Sequence, residues 1–213
     1  MNIIFNLLGV LLNHVFNFTG DWGIAIVILT LSVKVLLMPM SMKQRFSILE
    51  QQKIAQNMED IKIKYKNNKL KMEKEIQNCY KDNLKSMFGC LLTIIQLPII
   101  GGLYSTIVRM PVVSGTVLIP WVTSIKLSDN YFMVPIMYSI ISMLPGLVNS
   151  IDYFKVYKEV QYNKMSAILP GVIGLLITIK APIALGLYFI TSSIFSLVEE
   201  IAFRIYIKNK QFV

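Results

Sequence analysis

The sequence holds little of what covalent chemistry needs. His14 is its only histidine, and no Ser/His/Asp, HExxH, Walker or GxGxxG pattern occurs in it. Cys79 and Cys90 are too far apart for a CxxC redox pair and have no histidine at metal-ligand spacing, so they read as two unpaired thiols. Acidic residues number 12 against 21 Lys and Arg. Glu199 and Glu200 stand at the end of the last apolar run, and the other apolar runs contain no acid. These absences exclude an enzyme built on a nucleophile and its base, and no metal site is expected. They also remove the acidic or histidine relay of a proton-coupled transporter, and no inverted repeat is visible.

What the chain has in abundance is apolar surface. Hydrophobic residues make up 54% and charged residues 15%, with a mean hydropathy of +0.58, too apolar for a soluble domain of 213 residues. The composition implies an all-α polytopic membrane protein. The net charge of +9 could point to nucleic acid. Its basic residues lie between apolar runs, however, which is how orientation in a bilayer is encoded. No specific nucleic acid partner is expected.

In residues 2–18, Asn2, Asn6, Gly9, Asn13 and Asn17 fall three or four apart and form one polar stripe. The other face carries Ile3, Phe5, Leu7, Leu11, Val15 and Phe18, so residues 1–20 read as an amphipathic helix lying on the bilayer. The first span follows over 22–42, with Trp22 at the outer interface, Pro39 near the inner end, and Lys43 and Arg45 at the exit. Lys34 lies well inside it. A lysine there faces a polar cavity, pairs with another group, or stretches its stem to the headgroups, here about 7 to 8 Å of helix rise away at Pro39.

Residues 43–87 hold eleven of the 21 Lys and Arg, interleaved with six acids. Helical spacing from Ile48 to Ile63, a turn at Lys66 to Lys69 and a second helix from Leu70 to Leu84 predict a helical hairpin. Further spans are expected at about 88–108, 131–151, 166–179 and 181–200, and a short basic tail at 205–213. In the second span Gln96 precedes Pro98 by two residues and either lines a cavity or satisfies backbone groups freed by the proline. Ser139 and Ser142 add polarity to the third, and the fourth is only fourteen residues long. Seventeen Lys and Arg fall in the segments this topology puts inside, against Arg109, Lys126 and Lys180 outside. That asymmetry places the hairpin and C-terminus in the cytoplasm.

The stretches WGIAIVILTLSVKVLLMPMSMKQ, IKIKYKNN, CYKDN, GCLLTIIQLPIIGGLY and APIALGLYFITSSIFSLVEE occur in that order. Together they resemble the YidC/Oxa/Alb membrane protein insertases, in the compact form found in bacteria. The resemblance runs from Trp22 to about Arg204. It implies a five-transmembrane-helix core, here 21–204, enclosing a polar groove open to cytoplasm and lipid. It also implies insertion of newly made membrane proteins in the bacterial plasma membrane, alone or beside the Sec translocon, without nucleotide or other cofactor. Nascent membrane proteins, the lipid bilayer and, through the basic hairpin, the ribosome are the partners it suggests. The family's groove charge is usually arginine where Lys34 stands, so the charge is kept and the planar fork lost. Gln96 matches the glutamine of the family's Q-x-P-I stretch, and Thr30 lies one turn before Lys34 on the same face. Phe189 and Ser193 occupy places where tryptophan and asparagine are common; with Ser142 they complete the candidate groove set. The rival reading is a small transporter or channel.

Overall fold

The computed structural model describes residues 2–66, 68–82, 91–109, 115–148, 151–154 and 164–211. Among these the chain forms seven α-helices and no strand: α1 (Asn2–Thr19), α2 (Trp22–Lys64), α3 (Lys69–Asp82), α4 (Leu91–Arg109), α5 (Met133–Leu147), α6 (Lys164–Thr178) and α7 (Ile183–Gln211). The expected hairpin end at 83–87, the start of the second span at 88–90, Cys90, Lys155 and Lys158 lie outside the described residues.

α1 ends at Gly20, whose φ of 69° is the left-handed conformation that lets the chain turn, and its amide donates to the Phe16 carbonyl at 2.7 Å. Asp21 then starts α2, its side chain accepting the Ile24 amide at 2.9 Å. The faces of α1 are three. Asn6, Asn13 and Asn17 form an exposed polar face, and Leu7, Leu11 and Phe18 an exposed apolar one. A third stripe, Leu8, Leu12, Val15 and Phe16, packs into the core with Ile26, Leu29, Leu103 and Ile107. Phe16 stacks on Trp22 with ring centroids 3.8 Å apart.

α2 is one unbroken helix of 43 residues, about 64 Å long at 1.5 Å per residue. Pro39 lies within it and deprives the Val35 carbonyl of its usual amide partner. The expected first span and first hairpin arm are therefore parts of a single rod. The polar stretch 43–64 contains no glycine or further proline, and its Gln, Lys, Glu and Met residues are good helix formers. The rod turns at Tyr65, whose amide donates to the Ile61 carbonyl at 3.0 Å, and α3 packs back against it. α7 likewise runs on to Gln211, so the expected tail is mostly its last turns. Leu49 of α2 packs on Phe203 and Ile207 of α7, forming a second small apolar core.

Within the bundle α5 packs on α6 and α7, α7 on α2, α2 on α1 and α1 on α4, whereas α4 meets α2 and α7 only sparsely. Small residues let α5 and α6 approach closely. A Cβ on Gly146 would lie 2.8 Å from the Ala167 Cα, and one on Gly174 would lie 2.7 Å from the Tyr138 ring. The Ser139 hydroxyl donates to the Gly171 carbonyl at 3.0 Å across the same interface. Apolar residues such as Ile140, Ile168, Val172 and Leu176 stay exposed on these two helices. α2 and α7 are long and apolar enough to cross a membrane; 97–108, 133–147 and 167–178 are shorter apolar helices.

One end of the bundle is closed by 115–132. Thr116 donates its hydroxyl to Asp21 at 2.8 Å, and the Val117 amide donates to the same carboxylate at 2.7 Å. The Leu127 and Ile125 carbonyls accept the first amides of α7, from Ile183 and Ala184, both at 2.9 Å. Ile119 and Ile125 are buried in the main core. Burial alone would raise the Asp21 carboxyl pKa. The amides of Ile24, Val117 and Gly23 and the Thr116 hydroxyl outweigh it, and the net shift is downward from the usual carboxylate value.

Candidate functional site

Lys34 belongs to a stripe along α2. Lys34, Leu37, Ser41, Gln44, Arg45 and Ile48 fall three, four or one residue apart, which keeps them on one side of the helix. Opposite them α7 presents Ser196 and Glu199, and the eight residues line a cavity of about 170 Å³. Glu199 is the one acid among the described residues that line it. Thus Lys34 does not meet lipid on all sides; its side of α2 faces polar groups.

At one end of this cavity lies a network of buried charges. Arg45 donates through Nη2 to Glu199 Oε2 at 3.2 Å and to the Ser196 carbonyl at 2.9 Å, and through Nη1 to Glu200. Glu199 also accepts the Ser41 hydroxyl. Arg204 donates through Nε to Glu200 Oε1 at 2.5 Å and through Nη1 to the Phe154 carbonyl at 2.8 Å, in the turn that follows α5. Lys208, one turn further, stands 3.6 Å from the Tyr153 ring centroid. Guanidinium groups remain cationic in proteins, so the network holds two fixed positive charges against two carboxylates.

The other expected site residues are distributed. Thr30 is buried one turn before Lys34, but its hydroxyl donates to the Ile26 carbonyl at 2.6 Å. It lines a separate small apolar cavity with Leu8, Leu29, Val33, Ile99, Leu103 and Tyr188. Gln96 sits on α4 two residues before Pro98; its side chain lies outside the described residues. Ser142 is half-buried on α5, its hydroxyl donating to the Ser139 carbonyl at 2.9 Å. Phe189 packs on Tyr138 of α5, with centroids 5.2 Å apart. Ser193 is half-buried on α7, one turn before Ser196. Of the five whose side chains are described, only Lys34 lines the charged cavity. Ser41, Gln44 and Ser196 also line it without having been named, and Arg45 and Glu199 after being read only as flanking charges; the helical register that continues from Lys34 through Leu37, and from Ser193 through Ser196, could have flagged them.

The pattern of the family described as 60Kd inner membrane protein matches residues 14–210. The chain belongs to this family. Its members are the YidC/Oxa/Alb proteins that the sequence motifs resemble. Among the relatives, the "Membrane protein insertase YidC" of Helicobacter pylori is 27% identical over 208 residues, covering 95% of this chain and 36% of the relative. The chain thus spans about a third of the length of that relative. Proteins of the same name from Fusobacterium nucleatum and Caldanaerobacter subterraneus are 28% and 26% identical, covering 94% and 92% of this chain and 96% and 91% of the relatives. The YidC relatives thus include proteins of about this length and much longer ones.

Proposed function

We propose that this protein is a membrane protein insertase, using the Lys34 cavity as the inner part of a polar groove for newly made membrane proteins. The observation that carries the reading is a lysine deep in an apolar helix that opens onto a cavity shared with Ser41, Gln44, Arg45, Ser196 and Glu199. The relatives named insertases support it. In this reading α2, α4, α5, α6 and α7 are the five spans, α1 packs down α2 and α4 from the outer side as deep as Thr30 and Val33 instead of lying flat on the bilayer, and the arm 43–64 with α3 stands in the cytoplasm with most of the seventeen inner Lys and Arg. Gln96, Thr30, Ser142, Phe189 and Ser193 line further parts of the client's path. The ribosome and the Sec translocon are proposed partners on the cytoplasmic and lateral sides.

The proposed mechanism is a lowered insertion barrier. A client's polar outer segment must cross hydrocarbon, where each Asp, Lys or Arg at mid-membrane costs about 2.5 to 3.5 kcal/mol. A hydrated cavity part-way across replaces some of that path with water and dipoles. Lys34 attracts acidic or carbonyl-rich client segments into it. α6 has 15 residues, about 22 Å, against a hydrocarbon core of about 30 Å, which favours a thinner bilayer beside it and shortens the rest of the path. The bonds joining 115–132 to Asp21 and to α7 support a groove closed on the outer side.

The test is rescue of bacterial cells depleted of their own insertase, with Lys34→Met run in parallel and protein levels checked. The parent is expected to restore growth. The variant is expected to insert clients with acidic outer tails less well than neutral ones. Failure of the parent, present in the membrane, would refute the insertase reading, and equal effects on both tails would refute the role of the charge.

A further inference from the structure

Glu199 is the feature of this cavity that the reading above leaves unused. It is a buried carboxylate on α7, lining the same cavity as Lys34. It is held there by the Ser41 hydroxyl and by Arg45 Nη2 at 3.2 Å, the latter also bonded to the Ser196 carbonyl. A carboxylate fixed by two neighbours cannot swing away to bulk water when a client arrives. Lys34 and Arg45 give the cavity walls two positive charges, and Glu199 subtracts one. Glu200, which bridges Arg45 Nη1 and Arg204 Nε, is left out of this balance because it does not line the cavity.

A client carboxylate drawn towards Lys34 therefore enters a space that already contains one of its own kind. Two carboxylates within a small, partly dehydrated volume repel each other, and the repulsion grows with each added acid. A neutral but polar segment meets no such opposition and can still bond the serine hydroxyls and Gln44. We propose that Glu199 is a specificity-determining residue, an internal counter-charge to Lys34 that limits how acidic a client segment the cavity accepts and turns it towards neutral, hydroxyl- or amide-rich segments. This inference rests on the insertase reading and adds to it a preference set by α7.

The experiment uses the purified full chain in vesicles and two single-span clients that differ only in their outer tails, one neutral and one with three aspartates. Insertion is read as protease protection of the tail, and the ratio of acidic to neutral insertion is taken on one preparation. A loss of folded protein lowers both values and leaves the ratio unchanged. Glu199→Gln is expected to raise the ratio by about threefold or more, the scale of removing one like charge at short range. Ser196→Asp, which adds a carboxylate on the same wall, is expected to lower it by a similar factor and does not depend on how Glu199→Gln folds. Lys34→Gln in the Glu199→Gln background is expected to undo most of the rise. An unchanged ratio in Glu199→Gln or Ser196→Asp overturns the proposal. If the parent protects neither tail above empty vesicles, it is the insertase reading that fails.

Discussion

A single guanidinium, that of Arg45, faces two carboxylates and a backbone carbonyl. Truncating it would leave the buried Glu199 and the half-buried Glu200 with fewer partners, and stranded buried charges are costly. Arg45→Ala is expected to destabilise the protein by about 3 kcal/mol, read as a fall in unfolding temperature in detergent. Arg45→Lys keeps the charge but cannot bridge both acids in one plane, so a loss of about 1 to 2 kcal/mol is expected. If both variants unfold like an exposed-lysine control such as Lys53→Ala, the network does not hold α2 to α7. Lys34 stood out in the sequence because a lone cation in an apolar run calls for a polar cavity, a partner or a reach to the headgroups, and the structure places it on a cavity. Arg45 and Glu199 were not. They look like common flanking charges, and nothing in local periodicity joins residues 154 positions apart.

Between helices, closeness rather than charge sets the contacts. Gly146 meets the backbone of Ala167, which cannot rotate away as a side chain could. Gly146→Ala should therefore force α5 and α6 apart, at about 1 to 3 kcal/mol; a cysteine pair placed across them should cross-link more slowly. Asp21 joins the start of α2 to 115–132 and carries a pH dependence. Its folded pKa lies below the usual carboxylate value, so its contribution is full above about pH 4 and falls away as pH drops through the folded value. Protection of the Val117 amide from hydrogen exchange, corrected for intrinsic rate, should fall on acidification. In Asp21→Asn that fall should disappear. Helix positions were largely readable: the asparagine spacing marked α1, and the Lys66 to Lys69 turn lies where α2 gives way to α3. The faces were less so. Leu8 and Leu12 pack inward while Leu7 and Leu11 stay exposed, a division that a two-sided reading of α1 could not make. The length of α2 was hidden by the change from apolar to charged residues at Lys43, which divided span from hairpin although no helix breaker stands there.

For the whole molecule, the proposed orientation rests on the distribution of charge. With Cys79 and Cys90 replaced by serine, Lys66→Cys should label only from the cytoplasmic side and Leu118→Cys only from the outer side. Labelling of both from one side would overturn the proposed topology. In the proposed topology α2 runs from the outer surface, past the cavity, and on into the cytoplasm without a break, held against α7 at Arg45. Lys34 lies about 16 Å along the axis on one side of that clamp, and Lys64 about 28 Å on the other. In that topology such a rod can act as a lever, pivoting where Arg45 and Leu49 hold it against α7. A sideways push of about 10 Å on its cytoplasmic end corresponds to about 6 Å of opposite travel at Lys34 if the rod stays stiff, less if it yields at Pro39. On that geometry, a grip on the far end of α2 would have a mechanical hold on the width of the cavity.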